Sequence, residues 1–332
     1  MPVLFMCAFV LFIRVITIGT PNPSMPDWNI FNGFGYLWNP DFSALKSAKV
    51  WLEATGQIFF TLSVGIGVIL TYASYLSKGD DVVLSGMTAA GTNEFTEVIL
   101  GGSIIIPAAF VFFGPVDIKA IAESGTFNLG FVTMPLVLNK LPLNELMSFC
   151  WFFLLFLASI TSSVSLAQPV IAFLEDEFDI SRKKAVAIFA IAAFILCQPG
   201  IFFLKNGVID ELDFWGGTFF LVIFALIETI LFAWVFGMNN AWDEIHKGAD
   251  MKIPKIYKFI IKYITPSFLI IILSTWFYQQ WIPVILMKNV SDADKPYVLA
   301  TRIGLILIFI ILAILVKIAW RRKLKNKEVQ NS

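Results

Sequence analysis

Long apolar stretches separated by short polar ones organise this chain. Runs over residues 1–18, 50–76, 93–114, 146–174, 184–204, 214–236, 256–287 and 297–320 each approach the roughly 20 residues that a helix needs to cross a hydrocarbon layer. They predict an all-α polytopic membrane protein of about eight spans, one transmembrane domain over 1–332. The run at 1–18 has no basic segment ahead of its apolar core and no small-residue cleavage motif, so it reads as a membrane helix rather than a leader. Residues 19–49, rich in proline and bearing Trp28 and Trp38, read as an ordered loop at the headgroup interface. Residues 77–91 read as a polar connection and 115–142 as a second long loop, and Ser181 is the expected N-cap of the helix that follows it.

Polar residues inside these runs mark where function lies. WLEATGQIFFTLSVGIGVILTYASY carries Gln57, Thr61, Ser63, Thr71 and Ser74, and Gly65 and Gly67 interrupt it. Backbone that leaves the helix is tolerated at membrane depth only inside protein or along a cavity. The run therefore predicts two half-helices meeting at an unwound centre near Leu62 to Ile66, whose free peptide groups suit an ion and a zwitterion. A helix with small residues for close packing is the competing reading. Asn93 and Glu97 are four apart on one helical face, and a carboxylate among apolar neighbours is a candidate functional group unless it snorkels to the interface. Glu228, at mid-depth of its run, is expected to be protonated or paired. The patch Thr161 to Ser165, followed by Gln168 and Pro169, faces a polar cavity or back-bonds to its own helix.

Composition closes off other classes. With 58% hydrophobic residues and a mean hydropathy of +0.80, the chain is no ordinary soluble domain. Its 24 basic and 24 acidic residues leave no net charge to attract nucleic acid. Cys7, Cys150 and Cys197 lie in apolar runs without metal-ligand or disulfide spacing and read as packing residues, and His246 receives no role. Lys and Arg gather at 182–184, 247–262 and 317–327, on one side if the spans alternate. The positive-inside bias then places them, both termini and the basic tail 321–332 on the cytoplasmic side of the cell membrane.

Taken together, WLEATGQIFFTLSVGIGVILTYASY, TAAGTNEFTEVILGGSIIIPAA, ASITSSVSLAQPVIAFLEDE and IDELDFWGGT resemble the neurotransmitter:sodium symporter family, especially its bacterial leucine-transporter-like branch. The resemblance covers essentially the whole chain. It implies the C-terminal part of an inverted-repeat, leucine-transporter-type fold with one discontinuous helix. Since that family has about twelve spans, this chain is expected to begin in the fifth, with the N-terminal four helices missing.

The same resemblance implies a site. Thr61 and Asn93 would serve a first sodium ion, and the Ala158 carbonyl with the Thr161 and Ser162 hydroxyls a second. Phe60, Ser63, Ile66, Ser162 and Leu166 would line an amino acid pocket with Phe60 as its lid; family members often carry an aromatic where Ile66 stands. Gln57, Thr61, Asn93 and Glu97 would form a cluster in which the Glu97 carboxylate replaces chloride, so sodium ions but no chloride are expected. Asp213 would belong to an outer gate, and Asp176 with Tyr75 to an inner one. The expected function is sodium-coupled amino acid symport by alternating access, with no enzymatic step. This stretch is expected to be inactive alone, and a separately encoded N-terminal portion is a candidate partner besides the substrate and the bilayer. The competing readings are a non-transporting membrane scaffold and a membrane-embedded lipid-modifying enzyme with a metal on Asp80 and Asp81.

Overall fold

The computed structural model describes residues 2–77, 79–123 and 125–330, without the side chains of Glu123, Thr126 and 325–330. The end of the expected basic tail and its charges beyond Leu324 therefore lie outside the described side chains. Helices account for the ordered backbone, and no strand occurs among the described residues. In chain order they are α1 (Pro2–Ile16), α2 (Ile30–Trp38), α3 (Ala48–Thr61) and α4 (Val68–Ala73). Next come α5 (Val82–Ala122), α6 (Leu129–Leu138), α7 (Asn144–Phe178) and α8 (Arg182–Phe202). The last four are α9 (Val208–Val235), α10 (Met238–Ile245), α11 (Ile256–Ile285) and α12 (Lys295–Gln330).

Six of the described helices, α5, α7, α8, α9, α11 and α12, are long and apolar enough to cross a membrane. The first expected span is a shorter apolar helix, α1, and the span over 50–76 is split into α3 and α4. Both expected polar loops are largely helical. After Asp80 and Asp81 the chain enters α5 at Val82, because the next residues, VVLSGMTAAG, carry no proline and only the isolated glycines Gly86 and Gly91. The loop expected over 115–142 contains the end of α5 and all of α6. There Gly130, Thr133, Met134, Val137 and Leu138 are buried at helical spacing. Gly114 kinks α5: its φ of 76° is open to glycine, and a Cβ there would sit 2.2 Å from the Trp28 ring. Ser181 occupies the N-cap of α8, but its carbonyl rather than its hydroxyl accepts the free amides, from Lys184 at 2.8 Å and Ala185 at 3.0 Å.

The chain forms two compact units, Met1–Ala44 with Leu84–Val164, and Leu45–Val83 with Ser165–Ser332. The first is built on a core that includes Leu11 and Val15 of α1, Ile104 and Ala108 of α5, Met134 and Val137 of α6, and Trp151 of α7. Trp151 Nε1 donates to the Gly130 carbonyl at 2.9 Å, tying α6 to α7. Cys7 and Cys150 are buried in this core, whereas Cys197 of α8 is exposed.

The second unit centres on aromatic packing. Leu52 of α3, Trp215, Phe219 and Val222 of α9, and Leu269, Ile272 and Trp276 of α11 are all buried together. Phe219 and Trp276 have ring centroids 4.7 Å apart, within the range in which aromatic pairs attract. Arg302 of α12 forks onto Glu211 of α9 at 2.8 and 2.9 Å, Trp215 Nε1 donates to the same carboxylate at 2.8 Å, and the guanidinium lies over the Trp215 ring. Such a two-pronged charged pair is tolerated at 13% exposure of each side chain because the carboxylate's acceptor sites are filled. In the connection before α12, donation from Ser291 and from Asn206 holds the Asp294 carboxyl below the usual carboxylate range.

Candidate functional site

Between α3 and α4 the helix opens over the residues where the glycines predict a break. Ser63, Gly65 and Gly67 have φ of 57°, 79° and 76°. Glycine reaches that region freely; serine there is strained, and such outliers gather at working parts of proteins. The opened turn is held by α9. Gly65 N–H donates to Glu228 Oε2 at 3.1 Å, and a Cβ at Gly65 would stand 2.9 Å from the Leu221 carbonyl oxygen and 3.1 Å from the Ala225 nitrogen. The glycine backbone of the turn thus packs directly on the backbone of α9, with a carboxylate collecting an amide that no helix can satisfy. Glu228 is paired as its mid-depth position requires, but its partner is backbone rather than a cation. Its polarity was the only sequence signal, and nothing in the spacing pointed to Gly65.

On the far side of the break, Tyr72 donates through its hydroxyl to Ser165 Oγ at 2.9 Å. Gln168 Nε2 donates to the Tyr75 hydroxyl at 2.7 Å, Arg182 Nη2 to Gln168 Oε1 at 3.1 Å, and Arg182 Nη1 to Glu175 Oε2 at 3.1 Å. This chain of hydrogen bonds joins α4, α7 and α8. Tyr75 is one of the two expected inner-gate residues, and its hydroxyl accepts from Gln168; Asp176 has no side-chain partner among the described residues and is exposed. Gln168 belongs to the polar patch expected from the sequence; Arg182 and Glu175, which join it in this network, carry no such signal, because Arg182 arrives from the next helix. Asp213, the expected outer-gate acid, begins the π-helical turn Asp213–Phe219 of α9, and its Oδ1 lies against Gly217.

In the other unit, a cavity of about 590 Å³ lies among α1, α5 and α7. Asn93, Ala158, Thr161 and Ser162 line it alongside apolar residues such as Leu100 and Leu155. Thr161 donates its proton to the Leu157 and Ala158 carbonyls, both at 3.0 Å, and Ser163 donates to Ser159 at 2.7 Å. Back-bonding and cavity lining therefore coexist in Thr161: with its proton committed to the helix, the hydroxyl oxygen keeps lone pairs for a hard cation. Oxygen donors without a carboxylate on this wall match an ion of low charge. Glu97 lies in the π-helical turn Phe95–Gly101 of α5, one turn beyond Asn93.

Gln57, Phe60, Thr61, Ser63, Ile66 and Leu166 belong to the second unit, and Asn93, Glu97, Ala158, Thr161 and Ser162 to the first. Phe60 is 45% exposed and Leu166 43%. Asp80 and Asp81 serve their own surroundings: Asp80 accepts the Ser77 amide at 2.7 Å and Asp81 the Asp250 amide at 2.8 Å. His246 closes a loop, its Nδ1 2.8 Å from the Trp242 carbonyl and its Nε2 accepting from Ile253 N–H at 3.2 Å.

Residues 3–324 match the model of the sodium:neurotransmitter symporter family. An uncharacterised sodium-dependent transporter of Methanocaldococcus jannaschii is 32% identical over 71% of this chain and 48% of its own length. Sodium-dependent nutrient amino acid transporter 1 of Drosophila erecta is 28% identical over 81% of this chain and 41% of its length. The chain thus spans less than half the length of these relatives. Among solved structures, that of MhsT in complex with L-phenylalanine is similar with a TM-score of 0.70 and 28% identity, over 82% of this chain and 60% of that one. The fold is of the leucine-transporter type.

Proposed function

Because the chain belongs to the sodium:neurotransmitter symporter family, we propose that it is part of a sodium-coupled amino acid symporter working by alternating access. The observation that carries this reading is the opened turn between α3 and α4, held on α9 by the Gly65–Glu228 bond. Unwound backbone of this kind presents peptide groups to an ion and a charged ligand. The family is one of transporters rather than enzymes, so metal-dependent lipid chemistry at Asp80 and Asp81 drops out.

In this reading Thr61 and Asn93 serve one sodium ion, and the Ala158 carbonyl with the Thr161 and Ser162 hydroxyls a second. Phe60, Ser63, Ile66, Ser162 and Leu166 line the pocket for the amino acid. That Ala158, Thr161 and Ser162 line one cavity wall together supports the second ion site. Glu97, with Gln57, Thr61 and Asn93, supplies a fixed negative charge in place of chloride. Asp213 belongs to the outer gate, and Tyr75 with Asp176 to the inner one. Coupling follows if sodium and amino acid favour the same conformer, each raising the other's affinity. Transport needs the part of the relatives' length that this chain does not span, and the membrane is the cell membrane with the lysine-rich side inward.

Binding of tritiated L-phenylalanine tests the reading, with the chain expressed alone and together with a polypeptide supplying the rest of the relatives' length. Binding in sodium chloride and sodium gluconate, but not in potassium chloride, is the expected result. Loss in gluconate would overturn the role of Glu97. Absence of sodium-dependent binding in every combination, with leucine as well as phenylalanine, would leave the membrane scaffold as the better reading.

A further inference from the structure

Lysines are concentrated where α9 ends and α11 begins, at 247, 252, 255, 258 and 262. Lys258 and Lys262, four apart, share one face of α11, and both are half-buried. Lys262 lines a polar cavity of about 400 Å³ with Trp234, Asn239 and Asn240. The wall is fixed: Trp234 Nε1 donates to the Lys262 carbonyl at 2.8 Å, and Asn240 Nδ2 to the Phe236 carbonyl at 3.0 Å. The Lys258 ammonium stands 5.9 Å from the centre of the Trp242 ring and that of Lys262 5.2 Å from the Tyr263 ring. Among the described residues neither lysine has a carboxylate at ion-pair distance. Of the two acids on α10, Glu244 is engaged by Lys247 and Asp243 is not at ion-pair distance from either lysine.

Lysines whose stems are half-buried and whose ammonium groups face aromatic rings rather than carboxylates attract an anion. The surroundings narrow its source. Val235, Phe236, Tyr263 and Ile264, next to the lining residues in the chain, are 73%, 51%, 49% and 50% exposed, and they belong to or adjoin two helices long enough to span a bilayer. A basic, polar recess with an apolar flank at a membrane boundary matches a molecule with a phosphate at one end and acyl chains at the other. We propose that this recess binds an anionic phospholipid, its phosphate held by Lys258 and Lys262 with Asn239 and Asn240 beside it, and its chains laid along Val235, Phe236 and Ile264. The site is independent of the transport reading.

Native mass spectrometry of the full chain, released from phosphatidylcholine micelles doped with phosphatidylglycerol, tests this. A neighbouring lysine at a membrane surface is worth about five-fold in affinity for an anionic lipid. The pair Lys258→Gln with Lys262→Gln is therefore expected to weaken phosphatidylglycerol retention about 25-fold, and Lys252→Gln far less. Equal weakening by Lys252→Gln would reduce the effect to general surface charge and overturn the site. Inorganic phosphate that displaces the lipid at equal concentration would show a free anion to be the ligand, and would overturn it as well. A footprint on the unaltered chain guards against misfolded variants: acetylation of Lys258 and Lys262 should slow several-fold in phosphatidylglycerol nanodiscs relative to phosphatidylcholine, with Lys252 as reference. Equal protection of all three lysines, or of none, sinks the proposal.

Discussion

Gly65 carries the geometry of the opened turn by lacking a methyl group. Its φ of 79° and the approach of the Leu221 carbonyl oxygen to 2.9 Å from any Cβ both exclude a side chain. Gly65→Ala is expected to lower stability by at least about 2 kcal/mol, from the left-handed backbone and the collision together. Gly86→Ala, in a helical stretch with nothing within 4 Å of the new carbon, should instead be neutral or gain up to about 1 kcal/mol. Thermal unfolding in detergent compares the two, and equal effects would mean that the turn is not held as described. The break was legible in the sequence because Gly65 and Gly67 interrupt an apolar run. Its anchor was not, since Glu228 lies 163 residues away and hydrogen bonds at that separation leave no periodicity.

At the scale of elements, the bond between α9 and α12 is the clearest long-range tie in its unit. Arg302→Met leaves the Glu211 carboxylate, 13% exposed, with only Trp215 as donor, and such an orphaned charge costs about 3–5 kcal/mol. Adding Glu211→Gln removes the charge yet keeps an acceptor for Trp215, so the double variant should recover most of that loss. If the two changes simply add in unfolding experiments, the pair is not coupled. Elements are less evenly legible in the sequence than residues. Long apolar helices lie over the runs 146–174 and 184–204, while α6 and the start of α5 fall in segments expected to be loops. The proline and polar content of 115–142 outweighed a short apolar face that becomes meaningful only once Met134 and Val137 have the α1 and α7 core to enter.

For the whole molecule, the spacing of helices in the second unit sets sidedness. If α9 and α11 each cross once, Lys247 and Lys252 lie opposite Lys288 across the membrane. With the lysine-rich side inward, as proposed, an impermeant amine reagent applied to intact cells should label Lys288 and spare Lys247 and Lys252 until the cells are permeabilised. Labelling of both groups from outside would contradict the alternation of spans. By itself the sequence determined the all-helical membrane class, the family and the position of the break, because hydropathy, glycine placement and motif order are local properties of a chain facing lipid. Tertiary structure alone decided what holds each piece: Glu228 on Gly65, Arg302 on Glu211, and Tyr75 linked through Gln168 to Arg182. A polar group withdrawn from water takes whichever partner the packing brings within about 3 Å, and chain order does not say which that is.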